Sequence, residues 1–428
     1  MRVFPGTCGR LAHMATIVND TTGPATQRFG FLGTDLGYFI PTRHGYVMSI
    51  FGDTFNGSNP NNSGGGWRSP VILRQSNRDL AQGLRWDNAV GGSRAKQVWP
   101  YNHVGDKGTV NGTNFDAFTI IPNDVVHLPD GNFLGNGFRV KRWGSDLAQG
   151  QFMCWTLSAA WFWSSEVHGE TWAACRHETD LGRLYEWKNS GRDALFQNNT
   201  LIMMDPDGKS DPHVYCFGTP EGRKANGGIY LRRAHWQHLC NDSAWEFWGW
   251  NGTRWVWGKD VQPTPILQPS VAGTAIGEVN AQVIDGVVVL AYNDGPVGAV
   301  TRTAVAPDAA WTDPQVHATM LTAPNLYAPS VHPYSTLAKP FMHLSQWYSN
   351  LPILGSMYGC RLWRMDALTD PRTKVTDPEA VSPDGSTLCR DLSSLSAKEL
   401  AAELSSNSSV DASELAAALS SKAGVKTT

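Results

Sequence analysis

The sequence predicts an all-β protein, a propeller or a large barrel, and three observations predict it. Runs such as YVMSIFGDTF (46–55), DAFTIIPNDVV (116–126), HVYCFGTP (213–220), GGIYLRRA (227–234), VIDGVVVLAYND (283–294) and FMHLSQWY (341–348) are short and rich in aromatic or β-branched residues. Gly, Pro, Asn and Asp turns bound them, and no convincing amphipathic helix stands between them. The pattern persists to about Arg390, and so many short strands in one chain suit a propeller or a barrel.

Composition narrows the function classes. The chain has 428 residues, 41% of them hydrophobic, with 18 Trp and 43 Gly, as a well-buried, turn-rich globular protein has. Charged residues make up 17%, the net charge is −3, and no long basic stripe occurs, so no nucleic-acid partner is expected. Abundant Trp at modest charge suits a neutral, hydroxyl-rich ligand, because sugars present C–H faces that stack on indole rings. The seven cysteines (Cys8, Cys154, Cys175, Cys216, Cys240, Cys360 and Cys389) contain no CxxC pair. They are expected to be buried and reduced, with no zinc site. The N-terminal MRVFPGTCGR lacks the apolar core of a secretory signal, and no stretch approaches the ~20 apolar residues of a membrane span. A soluble chain with no membrane partner and no export signal of its own is therefore expected.

Taken in chain order, the first chemistry-bearing feature is a pair of aspartates. Asp35 lies in FLGTDLGYFI (31–40) and Asp53 in YVMSIFGDTFNG (46–57), each at a turn beside glycine and next to a hydrophobic strand. In a propeller the innermost strands line a central channel, and their ends form a funnel in which two such carboxylates can converge. Glycoside cleavage needs such a pair, one to protonate the leaving oxygen and one to attack or to activate water. Asp beside Gly is also an ordinary turn former, so spacing alone leaves both readings open. The glycine-rich loop SNPNNSGGG (58–66), flexible enough to form a lid, comes next, and Trp67 and Arg68 follow it.

Further along, SEVHGETW (165–172) follows the pattern S-x-D-x-G-x-T-W, the Asp-box turn of sialidase-like propeller blades, with Val167 in place of the Asp. It favours the propeller over the barrel. In WEFWGWNGTRWVWG (245–258) an Asn-Gly dipeptide points to a two-residue hairpin turn. After Arg390 the character changes: SAKELAAEL (396–404) recurs as DASELAAAL (411–419), each with Leu residues four apart. Two short helices in a Ser/Ala/Leu-rich tail (391–428) are expected, marginal alone and suited to docking or assembly. The expected domains are thus 1–390, a propeller, and 391–428, a helical or flexible tail.

GTDLG, FGDTF and WRSPVILRQSNRDLAQGL (67–84) resemble the opening blade of the endo-D-arabinanase family, a propeller domain of mycobacteria and their relatives formerly of unknown function. The likeness continues in order through IIPNDVV (120–126), the hairpin at 165–172, VYCFGTPEGRKANGGIYLRRA (214–234) and WEFWGWNGTRW (245–255). It ends with IGEVNAQV (276–283), YAPSVHPYST (327–336) and HLSQW (343–347), and so covers nearly all of the chain before the tail. The resemblance implies a five-bladed β-propeller that hydrolyses internal α-D-arabinofuranosyl linkages of arabinogalactan or lipoarabinomannan. It places the two catalytic aspartates at Asp35 and Asp53, and their separation would tell a retaining from an inverting enzyme.

Other positions are candidates for substrate binding. Asp124 and Glu278 open strand-like segments and could orient sugar hydroxyls or tune the pair, or simply satisfy backbone amides. His332 and Tyr334 could line the funnel, Trp67 could stack on an arabinose ring with Arg68 beside it, and Trp347 is expected in the core. Gly277-Glu278-Val279-Asn280 departs from the family's G-E-L-S, and SNLPILGSMYGC (349–360) diverges after Trp347. The two-carboxylate mechanism needs no metal and no cofactor. Arabinan is the expected partner. The tail and the missing signal suggest carriage on a phage tail, with other tail proteins as further partners. A propeller that binds arabinan as a receptor without cutting it is the competing expectation.

Overall fold

A computed structural model of the chain describes residues 15–106, 108–351 and 355–373. Both copies of the Leu-bearing repeat, the tail from 391, Cys8 and Cys389 lie outside the described residues. Five antiparallel sheets of four or five strands follow one another along the chain. Their first strands are Leu36–Pro41, Thr119–His127, Asn198–Met203, Ile276–Ile284 and Leu326–Val331. Each first strand touches the next, and the fifth touches the first, so they close a ring. These strands are buried almost throughout, their polar residues included: Asn123, Asp124, Asn199, Thr200 and Asn280 are all 2% exposed or less. The helical pieces described are 3₁₀ turns of three to six residues.

Five apolar clusters fill the five gaps between neighbouring sheets. Tyr38 and Ile50 of the first sheet meet Ile120 and Phe162 of the second; Trp161 and Trp187 of the second meet Val214 and Trp245 of the third. Tyr215 and Phe217 pack on Val279 and Leu290, then Val289 and Ala299 on Met342 and Leu344. Phe39, Phe51 and Leu73 close the circle against Phe341 and Leu362. Because each sheet buries both faces against its neighbours, the protein is radial and propeller-like. The ring is latched without a covalent bond. Thr16–Asp20, from the start of the described chain, pairs antiparallel with Gly355–Arg364 as the outer strand of the last sheet.

Local motifs fold as their residues dictate, with two differences. The SEVHGETW turn joins strands Cys154–Ser164 and Ala173–Ala174; Gly169 sits at φ +62°, and its carbonyl accepts from the buried Trp172 indole at 2.9 Å. Val167, at the Asp position, faces solvent. The Asn-Gly hairpin is longer than a two-residue turn: Trp250 pairs with Trp255, and Asn251 Oδ1 accepts from the amides of Thr253 and Arg254 at 3.0 Å each. That Asn side chain caps the loop, and the turn extends to four residues. Trp347 departs from its expected place in the core, being 47% exposed on the rim of the fifth sheet. All five described cysteines are free, four of them buried. No helix among the described residues is long and apolar enough to cross a membrane.

Candidate active site

Asp35 immediately precedes the first strand of the first sheet, and Asp53 immediately follows the turn after its second, Val47–Phe51. Leu36 pairs with Phe51, and the Gly52 amide donates to the Asp35 carbonyl at 3.1 Å, so the two strands deliver both aspartates to one end of the ring. Gly52 is required by packing. A Cβ there would collide with Asp35 Oδ1, so the FGD spacing makes room for the other carboxylate.

The two carboxyls are supported differently. Asp53 Oδ1 accepts from the Trp67 indole at 2.8 Å and from the Thr119 hydroxyl at 2.6 Å. Asp35 Oδ2 accepts from the Tyr327 hydroxyl at 2.9 Å, while its Oδ1 has no hydrogen-bond partner. Tyr358 donates to the Asp53 carbonyl at 2.9 Å and lies against both groups. Asp35 keeps part of its surface open to solvent although protein crowds it, as a group at the bottom of a concave site does.

Electrostatics separate the pair further. Burial, and after it the charge of Asp53, push Asp35 up to about 8, against partial relief from the Tyr327 and Tyr358 hydroxyls. Burial raises Asp53 only to about 6, because Thr119 and Trp67 donate to its charged form. Asp35 feels the charge of Asp53 and holds its proton to higher pH than Asp53 does. Tyr38 stands among Glu278, Asp35 and Asp124, and burial together with those carboxylates keeps its phenol protonated.

The remaining candidates fall in several places. Trp67 is half-buried, its ring against His103 (4.1 Å), Phe118 (5.3 Å) and Phe55 (6.1 Å), with its N–H committed to Asp53. Arg68 is buried and spends its guanidinium on Asn56 Oδ1 (3.1 Å), the Gly66 carbonyl (2.5 Å) and the Gly30 carbonyl (2.7 Å). It thereby ties the glycine-rich loop down. Asp124 lies inside its strand, not at its start. Its Oδ2 accepts from Thr200 Oγ1 (2.5 Å) and the Leu201 amide (2.9 Å), a latch between the second and third sheets. Burial lifts it to about 7.

Glu278 is buried and receives both its bonds from Arg223 Nη2, at 2.7 and 2.8 Å. The Arg223 guanidinium stands 5.8 Å from the centre of the Tyr327 ring, so Glu278 connects to Asp35 through Arg223 and Tyr327. Arg223 holds a left-handed backbone, φ +55°, a conformation that costs energy outside glycine and is kept where surroundings enforce it. His332 is fully buried, with Nδ1 accepting from the Tyr334 amide (3.1 Å) and Nε2 paired with the Gln75 amide (2.7 Å); burial holds it neutral, near 3. Tyr334 carries the Arg78 guanidinium over its ring at 4.4 Å. Neither residue hydrogen-bonds to the aspartates.

Sequence reasoning missed Tyr327, Tyr358, Thr119 and Arg223. Tyr327 opens YAPSVHPYST and Arg223 lies in the quoted stretch 214–234, so both were within recognised segments; Tyr358 sits in the divergent 349–360 and gave no signal. Among the described residues no group of three or more His, Cys, Asp or Glu side chains is arranged to hold a metal ion.

The ring of sheets and its carboxylate pair define a radial β protein with two crowded carboxyl groups at one end of the ring. The chain belongs to the family described as a domain of unknown function (DUF4185), whose pattern matches residues 20–364. It is 25% identical over 348 residues to notoamide biosynthesis cluster protein J of Aspergillus sp. (strain MF297-2), covering 76% of this chain and 82% of that protein. It is 26% identical over 344 residues to protein J′ of Aspergillus versicolor, covering 76% and 83%. Among solved structures, the catalytic domain of a Coprinopsis cinerea GH62 α-L-arabinofuranosidase overlaps 83% of this chain and 97% of that chain at 9% identity, with a TM-score of 0.44.

Proposed function

We propose that this chain is a five-bladed β-propeller glycoside hydrolase that cuts internal α-D-arabinofuranosyl linkages of cell-wall arabinan. Its domain is the proposed 1–390, with the ring closed by the strand pairing of Thr16–Asp20. The observation that carries the reading is the pair Asp35 and Asp53, held at one end of the ring with unequal proton affinities. In this reading Asp35 is the general acid. Its protonated carboxyl gives a proton to the glycosidic oxygen as the C–O bond breaks. Asp53, ionised and oriented by Trp67 and Thr119, is the nucleophile or the base on the opposite side of the anomeric carbon. Glu278, locked by Arg223, adds to the burial and the Asp53 charge that keep Asp35 protonated. The furanose specificity rests on the ordered likeness from GTDLG to HLSQW.

The test is incubation of the purified protein with mycobacterial arabinogalactan, with Asp35→Asn and Asp53→Asn alongside and products separated by chromatography. Short arabino-oligosaccharides from the wild type, lost in both variants, are expected. Binding to the polymer with no release of products would sink the hydrolase and make the protein a receptor-binding propeller.

A further inference from the structure

Three aromatic side chains stand exposed near the end of the ring that holds the aspartates. Trp347, 47% exposed, is the strand partner of Tyr358, and the two rings meet edge to face at 6.2 Å. Tyr358 in turn donates to the Asp53 carbonyl. Asn325 Nδ2 donates to the Trp347 carbonyl at 3.0 Å and fixes the backbone beneath the ring. Trp143, 41% exposed, ends Phe133–Trp143, the strand whose Val140 pairs with Thr119, the donor to Asp53. Phe152, 39% exposed, lies on the loop that follows. The Phe152 and Met153 amides both donate to the Gly222 carbonyl, at 3.2 and 3.0 Å, next to the Arg223 that leads through Tyr327 to Asp35.

The ring order gives these positions a direction. Trp347 belongs to the fifth sheet and Trp143 and Phe152 to the second, the two sheets that flank the first, which carries the carboxylates. The loop at 144–153 is built rigidly. Asp146 accepts from the Gln149 amide (3.2 Å) and side chain (2.7 Å), and Gly144 N donates to the Met153 carbonyl at 2.9 Å. A preorganised loop that leaves rings in water is arranged for contact with something else. Ser145, Asp146 and Gln149 interleave with those rings. An acyl phase would have to desolvate them, whereas sugar hydroxyls can pair with them.

We propose that Trp347 on one side and Trp143 with Phe152 on the other are aromatic subsites for an extended furanose polymer, which lies across the mouth between them with the cut linkage over Asp35 and Asp53. This rests on the hydrolase reading and adds how a long chain is held, with sugar rings on both sides of the reacting bond. Such a cleft selects internal linkages, since a chain end fills only one side.

Affinity electrophoresis and calorimetric titration on arabinogalactan would be run in the Asp53→Asn background, adding Trp347→Ala, then Trp143→Ala with Phe152→Ala, then Leu181→Ala as a distant exposed control. Each aromatic set is expected to weaken polymer binding about tenfold, while the control leaves it unchanged. In the catalytic background, polymer KM should rise more than KM for a short arabino-oligosaccharide. Equal binding in all variants, or loss for both substrate lengths alike, would overturn the proposal. Wild type that binds polymer through these rings but releases nothing would keep the subsites and refute the hydrolase. Hydrolysis indifferent to the rings would do the reverse.

Discussion

Tyr327 donates its hydroxyl to Asp35 Oδ2 at 2.9 Å across 292 residues of sequence, from the last sheet of the ring to the first. That bond stabilises the charged form of Asp35 and works against burial and the neighbouring Asp53, which together hold it protonated. It is a contact made only when the ring closes.

From this balance comes the pH profile of kcat/KM. Activity on arabinan should rise as Asp53 loses its proton near 6 and fall as Asp35 loses its own near 8, giving a bell between the two apparent values. In Tyr327→Phe the donor to ionised Asp35 is gone, so the alkaline limb should move to higher pH. A profile with an unmoved alkaline limb in that variant would assign the limb to another group.

Asp35 also links stability to pH. Its folded pKa of about 8 lies above the ordinary 3.8, so between those values the folded state holds a proton that the unfolded chain has released. Stability should therefore fall as pH rises through that window. Asp35→Asn removes the penalty: its Tm should match or exceed the wild type at pH 4 and exceed it clearly at pH 8. Its activity should drop roughly 10²–10⁴-fold, as loss of a general acid does. Calorimetry across pH checks the first part and a reducing-end assay the second.

Trp67→Phe should separate packing from hydrogen bonding. Phenylalanine keeps a ring near His103 and Phe118 but cannot donate to Asp53 Oδ1. Asp53 should then titrate higher, shifting the acid limb upward and lowering activity below pH 6, with Tm little changed. Thr119→Val, which removes the other donor, should shift the same limb in the same direction.

Arg223→Met leaves Glu278, 3% exposed, without its partner. The expected loss is about 3 kcal/mol, the lower end for a broken buried pair, because the Arg223 side chain is itself 28% exposed. The double variant with Glu278→Gln should recover most of it, and urea unfolding of the three proteins measures the coupling.

Gly52→Ala tests the close approach of the two aspartate turns. The added methyl meets Asp35 Oδ1, so a drop in activity of at least tenfold with a soluble, folded protein is expected. Unchanged activity would show that Asp35 has room to move.

How much of this was legible can be read from particular residues. The apolar runs around Ile50, Ile120 and Val289 announce strands because a β-branched side chain favours the pleated backbone whatever its partners. FGDTF and GTDLG placed both aspartates at strand ends, and that placement came from adjacent residues alone. The substrate-side candidates were less legible. Glu278 and Asp124 look alike as carboxylates in strand-like segments, yet one is chelated by Arg223 and the other latches two strands through Thr200 and Leu201. Trp347 is expected in the core, but burial alternates at this end of its strand, and Trp347 takes the outward position between the buried Gln346 and Tyr348.

By itself, then, the sequence determined the all-β class, the turn at 165–172 and the two aspartates, since each depends on residues within a few positions of one another. Tertiary structure alone decided which sheet meets which, the latch of Thr16–Asp20 on Gly355–Arg364, and the donors that separate Asp35 from Asp53. The physical reason is the same throughout. Burial and hydrogen bonding set a carboxyl's proton affinity, and at this centre Thr119, Tyr327 and Tyr358 arrive from other sheets only when the ring has closed.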